Sequence, residues 1–208
     1  VTKSVTMDNT HPDSLLLTGI ITIDFGDGTL CADSSRRRSG SISTEFTITV
    51  SKVDHRVYHS VETVTLNEFT QGSKKLSGIF ISKAAPGGLQ WLKVQNAELT
   101  YSDSVATTVT WSGRLTVTRG GGGTHSHSDD IKTITGSITG TTAEGSFSSE
   151  ITNDLIIKWE CYRGRNIPVS GTIVVTSPDT TTTLDFGDGS CDKLYTSTTA
   201  GETTELHF

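Results

Sequence analysis

"SISTEFTITVSKV", residues 41 to 53, decides the fold class. Ile42, Phe46, Ile48 and Val50 alternate with Ser43, Glu45, Thr47 and Thr49, a period of two that places apolar and polar side chains on opposite faces of a strand. The same alternation runs through "TVTWSGRLTVT" (108–118), "KTITGSITGT" (132–141) and "GTIVVTS" (171–177). No stretch of a dozen residues keeps a 3.6-residue apolar period without glycine or a β-branched cluster interrupting it, so helices should be few and short.

Turn chemistry separates these runs: "DGT" at 27–29, "RRRSG" at 36–40, "APGG" at 85–88, "RGGGGTHSHSDD" at 119–130, "AEG" at 143–145, "YRGRN" at 162–166, "SPD" at 177–179 and "DGS" at 188–190. Connections this short pair strands antiparallel, since a parallel return needs a crossover of about a dozen residues or more. The expected fold is all-β, a mainly antiparallel meander of hairpins built as a sandwich, an open barrel or an elongated sheet. Residues 18–208 are expected to form one domain. Residues 1–17, "VTKSVTMDNTHPDSLLL", are expected to be an N-terminal arm or tether ahead of it.

Bulk composition narrows the function classes. Only 33% of the 208 residues are hydrophobic, and Thr, Ser and Gly fill the difference, which suits thin sheets with solvated strand faces. Seventeen basic against 23 acidic residues give a net charge of -6, so a phosphate backbone is repelled and nucleic acid is excluded as a partner. Arg36, Arg37 and Arg38 read as a solvated turn. No window approaches the roughly 20 apolar residues of a membrane span, so the expectation is a soluble chain with no transmembrane segment. Val1 opens without the basic, apolar and cleavage regions of an export signal, as if one had been removed or never been present. Cys31, Cys161 and Cys191 permit one disulfide in three pairings, or none, and their spacing does not suit zinc.

One phrase occurs twice, as "IDFGDGTLCAD" (23–33) and "LDFGDGSCDK" (184–193). Its Asp-Gly pair can take the left-handed angles of a tight hairpin turn, its Asp side chains can accept bonds from nearby amides, and Phe25 or Phe186 anchors the strand end. Two related hairpins lying side by side would tie the termini into one sheet. Over six residues "DFGDGT" is similar to the polycystic-kidney-disease repeat, a small β sandwich, without the continuation that defines that family. From about Gly19 to Phe208 the chain resembles a group of Bacteroidota (Flavobacteriia and Sphingobacteriia type) cell-surface lipoproteins. The segments "GIITIDFGDG", "KLSGIFISKA", "LIIKWECYR", "VSGTIVVTSPDTTTTLDFGDGSCD" and "GETTELHF" carry the likeness. "KWECYR" departs from that group's order of Cys, Arg and Trp, and Val1 stands where a lipid-bearing cysteine would. The resemblance implies export to the cell surface or extracellular space, and no activity or functional residue.

Each chemistry-bearing cluster also has a plain structural role. Asp24, Asp27 and Asp33, and Asp185, Asp188 and Asp192, could hold Ca²⁺ only if three or more oxygens converged, and turn capping asks for less. His125 and His127, followed by Asp129 and Asp130, would share a strand face, yet four preceding glycines make ordering them costly. There is no GxSxG nucleophile turn. Glu150, Asp154 and Glu160 could serve as a glycosidase pair only by arbitrary choice. Trp91, Tyr101, Trp111 and Trp159 could stack on sugar rings, with packing the simpler role. No catalytic, cofactor-binding or metal residue is therefore assigned, and no cofactor is expected. The expected function is a non-enzymatic, exported surface protein with a structural or adhesive role. Two alternatives accompany it: a filament or matrix subunit assembling with copies of itself by edge-strand addition of the N-terminal arm, and a module binding a surface glycan or protein.

Overall fold

The computed structural model describes residues 1–30, 37–85, 89–101, 107–120, 129–162 and 166–208. Strand accounts for 77% of the described residues, as the alternation predicts. The strands are β1 (Thr2–Asp8), β2 (Ser14–Asp24), β3 (Thr29–Leu30), β4 (Arg37–Ser51), β5 (Val57–Gln71), β6 (Lys74–Ala84), β7 (Leu89–Tyr101), β8 (Thr107–Gly120), β9 (Ile131–Thr142), β10 (Gly145–Lys158), β11 (Ser170–Thr176), β12 (Thr181–Asp188), β13 (Leu194–Thr199) and β14 (Glu202–His207). One short helix, α1 (Trp159–Tyr162), follows β10. The strands make a 14-stranded antiparallel meander in sequence order, with β3 paired to β4 off the main path and no closure into a barrel. Of the three expected arrangements, a sandwich, a barrel or a sheet, the open sheet is the one found.

Two compact units divide the chain: Val1–Pro86 with Trp91–Ser112, and Gly87–Gln90 with Gly113–Phe208. In the first, β2 and β4 run in unbroken register from Ser14↔Ser51 to Asp24↔Ser41. Leu15, Leu17, Ile21 and Ile23 thereby share a face with Val50, Ile48, Thr44 and Ile42, while Thr18, Ile20 and Thr22 face the other way with Thr47, Glu45 and Ser43. Phe46 lies over Gly19, where its ring fills the space a Cβ would take. Among the described residues of this unit only Ala97 is buried; the apolar face of β2 and β4 is half-buried, and Val5 and Met7 of β1 are exposed.

The stretch 1–17, expected as an arm or tether, is instead β1 and the start of β2, joined as a hairpin in register from Thr2↔Thr22 to Asp8↔Leu16. Its alternation is short, Val5 and Met7 against Ser4, Thr6 and Asp8, and its pairing rests on the backbone. The connecting turn is fixed from outside: Lys52 Nζ donates to the carbonyls of Asn9 and His11, and Lys52 N–H to that of Asp13. Arg37 and Arg38 are likewise not in a turn. They open β4, where Arg38 pairs with Thr29 and with Gln71.

In the second unit β9 to β14 alternate cleanly. Ile138, Phe147, Ile151, Ile173, Val175 and Leu184 occupy one face, half-buried, and Ser or Thr dominates the other. Two hairpins use turns the sequence announces, Ala143–Glu144 and the 177–180 turn in which Ser177 and Thr180 exchange backbone bonds of 2.8 and 3.4 Å. The β13–β14 hairpin turns on Ala200 and Gly201, both left-handed at φ 52° and 85°. β10 carries register shifts between Glu150 and Ile156. Opposite them Gly171, at φ 108°, lets the strands close up: a Cβ there would overlap the Asp154 carbonyl oxygen. Gly171→Ala should cost about 3 kcal/mol in denaturant unfolding, from combined backbone strain and overlap. Gly26→Ala, left-handed at φ 56° but with open space around it, should cost about 1 kcal/mol. Equal losses at the two sites would refute the bulge-and-glycine account.

Candidate functional site

The twice-used phrase makes the same Asp-to-Gly contact in both places, at the turn that follows β2 and within β12 beside its register shift against β11. Asp24 Oδ1 accepts from the Gly26 N–H at 2.8 Å, and Asp185 Oδ1 from the Gly187 N–H at 2.9 Å. Both glycines are left-handed, at φ 56° and 83°. The first Asp and first Gly therefore set the turn, rather than the Asp-Gly pair expected to, because an Asp side chain two residues ahead can satisfy that amide directly. The copies do not lie side by side: β2 neighbours β1 and β4, whereas β12 neighbours β11 and β13.

Beyond the turn they part. Phe25 is half-buried against Phe69, with ring centroids 5.6 Å apart. Phe186 is buried against Tyr195 at 5.8 Å and Phe208 at 5.9 Å, whose rings are 4.8 Å from each other. Leu155, Ile157 and Val169 are buried in the same unit, and Val169 bridges backbones by donating to Ile156 O and accepting from Gly189 N–H. Lys158 Nζ donates to Gly189 O at 2.8 Å. Cys161 in α1 is bonded to Cys191 in the β12–β13 connection, across a sequence separation of 30. Of the pairings open at the sequence level this is the one formed, and Cys31 lies outside the described residues. A loop of that length loses about 3.5 kcal/mol of unfolded-chain entropy when closed. The thickest apolar packing in the unit is thus clamped covalently at its edge.

Little else at this node is free for chemistry. Asp188 Oδ1 accepts from the Ser190 hydroxyl and N–H, and Asp192 Oδ1 accepts from Leu194 N–H. The Ser190 hydroxyl bond, then its backbone bond, hold the Asp188 carboxyl below its ordinary value, with the Lys158 charge adding to them. Among the described residues no group of three or more His, Cys, Asp or Glu is placed to hold a metal ion. Asp33, Arg36, His125 and His127 fall outside the described residues. Asp130 is joined to α1, its carbonyl accepting from Trp159 N–H at 3.0 Å. Glu150 stands on the exposed face of β10, Asp154 follows its register shift and Glu160 lies in α1, so the three are strung along one segment. Arg38 Nε is buried without a hydrogen-bond partner among the described residues.

The aromatic candidates are spread over three elements. Trp91 and Tyr101 are in β7, Trp111 in β8 and Trp159 in α1, and Lys74 Nζ stands 5.4 Å from the Tyr101 ring centroid. Two open depressions mark the first unit. One of about 510 Å³ is lined by Ser4, Thr6, Thr18, Glu45, Thr47 and Thr63; another of about 560 Å³ is lined by Phe69, Lys74, Leu76 and Leu99.

What sequence reading missed is a hydroxyl face. Ser137, Glu150, Val174, Thr183, Thr198 and Thr203 stand in one line across β9 to β14, flanked by a row of Thr139, Ser148, Thr176 and Thr181. Neighbouring strands set these groups about 4.8 Å apart and alternate residues about 6.8 Å apart along a strand. Thr198 and Thr203 are joined by a hydroxyl bond of 2.8 Å, and most of the outer members are exposed. The signal existed in the alternation, but it needs cross-strand register to become a surface.

Comparisons with protein-family models, curated proteins and solved structures find no match to this chain. Ser190→Ala should raise the Asp188 pKa toward 3.8, read by NMR titration. Because the folded value is depressed, the stabilisation is full at neutral pH and fades as pH falls through the folded pKa. The variant should therefore lack most of that stabilisation at neutral pH, and its stability should fall less than the wild type's as pH is lowered through the carboxylate range. An unmoved pKa would show that the hydroxyl bond does not form.

Proposed function

We propose that this chain is a non-enzymatic, exported protein of the cell surface or extracellular matrix, with an adhesive role carried by the hydroxyl face of β9–β14. The single observation behind the adhesive reading is that face: Ser or Thr at four of the six positions in a line across β9 to β14, flanked by the exposed row of Thr139, Ser148, Thr176 and Thr181. Such an array can exchange many weak hydrogen bonds with an extended polar surface, and a polysaccharide supplies hydroxyls at comparable intervals. Each bond is worth about 1 kcal/mol net, so affinity would come from their number. No aromatic from the second unit's β9–β12 hydroxyl rows contributes stacking, so binding should be shallow and tolerant of sugar identity.

Export is supported by the Cys161–Cys191 disulfide, a bond that persists in oxidising compartments and is rare where thiols are kept reduced. It agrees with the resemblance to Bacteroidota surface lipoproteins. The local commitment of Asp24, Asp185, Asp188 and Asp192 to backbone and hydroxyl donors supports a structural role for those carboxylates over catalysis.

Co-sedimentation with insoluble polysaccharides, alongside protease shaving of intact cells, tests both halves. The protein should be shaved from the surface with Cys161 and Cys191 oxidised, and Thr183→Val/Thr198→Val should weaken co-sedimentation several-fold. An internal, fully reduced protein would end the export reading; binding unchanged in the double variant would end the adhesive one.

A further inference from the structure

β1 is an edge of the sheet, and its backbone polarity is legible from its neighbours. Phe25 N–H donates to Gly40 O and Asp13 O accepts from Lys52 N–H, so odd-numbered residues of the β2 hairpin arm point their amides and carbonyls toward β4. The even-numbered residues Leu16, Thr18, Ile20 and Thr22 therefore bond to Asp8, Thr6, Ser4 and Thr2. That leaves the N–H and C=O of Lys3, Val5 and Met7 directed away from β2, with no strand of the described residues beyond them in the sheet order. The side chains of these same residues lie on the apolar face, in line with Ile21, Gly19 and Leu17. Val5 is 54% exposed and Met7 63%. An unpaired edge with exposed apolar side chains is a template for another strand.

The strand that fits is its own copy. Antiparallel pairing about a two-fold axis at Val5 sets Val5 opposite Val5 of the second copy, Lys3 opposite Met7, Ser4 opposite Thr6 and Thr2 opposite Asp8. No like charges meet, the pairs at positions 3, 5 and 7 exchange six backbone hydrogen bonds, and the two apolar faces become continuous. The other edge does not offer this. Phe208 N–H donates to Lys193 O, so on β14 it is Thr203, Glu205 and His207 whose backbones point outward. A two-fold there would oppose Glu205 to itself. Joining β1 to β14 would abut an apolar face with the hydroxyl face to which Thr203 and Glu205 belong.

We propose that β1 is a homodimerisation strand, through which two copies of this chain join in a closed, two-fold antiparallel pairing centred on Val5. The pairing is isologous and stops at two copies. It stands independently of the adhesive reading, since it uses neither the hydroxyl face nor the protein's location.

Light scattering coupled to size exclusion, with sedimentation equilibrium on the full chain, should give a dimer of 22.2 kDa protomers. Val5→Pro removes only an outward amide, so β1 keeps its bonds to β2 while the dimer dissociation constant rises at least about tenfold. Val5→Lys brings like charges together at the axis and should act in the same direction; thermal melts confirm that each variant is folded. Glu205→Lys should leave the dimer unchanged. A monomeric wild type at about 100 μM, roughly a millimolar-range affinity at best, would overturn the proposal. So would a dimer that survives both folded Val5 variants, or an oligomer lost only on changing β14.

Discussion

Cross-strand register is the constraint on which the rest of this structure depends. Between β2 and β4 the pairing holds without a shift from Ser14↔Ser51 to Asp24↔Ser41. A slip of one residue would carry Leu15, Leu17, Ile21 and Ile23 to the face now holding Thr18, Ile20 and Thr22. The apolar face is only half-buried, so it resists such a slip less than a closed core would. Other devices secure the register: the Phe46 ring over Gly19, Lys52 holding the β1–β2 turn, and the Asp24 bond to Gly26 at the strand end. At two of the register shifts a glycine receives the displaced backbone. Gly40 faces the Asn67–Glu68 irregularity of β5 as Gly171 faces that of β10.

The two units meet the shortage of apolar residues differently. In the first, long strands of up to 15 residues spread burial thinly, and Ala97 alone reaches it among the described residues. In the second, burial concentrates where β10, α1 and the β12–β13 connection converge. Leu155, Ile157, Val169 and Phe186 are buried there, with the disulfide and the Lys158–Gly189 bond at the margin. A small cluster held covalently loses less on local opening than an equal cluster held by packing alone, because the unfolded loop is already short.

Much of the fold was legible in sequence because period-two alternation is a local property. Residues 41–53 declare a strand whichever neighbour they find, and Ala143–Glu144 and 177–180 turn where small and turn-forming residues say they should. β1 was not legible, since "TKSVTMD" pairs through its backbone and owes its place to β2 and Lys52. Arg37 and Arg38 read as a turn because charge usually accompanies solvent exposure, yet a strand end paired with β3 and β5 accommodates both. The hydroxyl face and the Cys161–Cys191 pairing are facts of register and distance, which a single sequence does not encode position by position.

The repeated Asp-Phe-Gly-Asp-Gly phrase separates what local chemistry fixes from what the fold adds. In both copies the Asp carboxylate reaches the amide two residues on and the glycine takes a left-handed angle, so five residues suffice to specify that contact, which ends β2 in a turn but sits inside β12 in the second copy. They do not specify the packing beyond it. After Asp24 the chain makes only the two-residue β3 against β4, and Phe25 finds a single ring, Phe69. After Asp185 the same phrase enters the best-buried part of its unit, because Val169 accepts from Gly189, Tyr195 and Phe208 close over Phe186, and Cys191 lies within reach of Cys161. The difference is supplied by residues outside the phrase, from Tyr195 close after it to Phe208, Val169 and Cys161 farther along the chain in either direction. A motif of this kind therefore marks where the backbone must bend, and the strands packed around it determine whether the bend becomes a surface corner or a structural anchor.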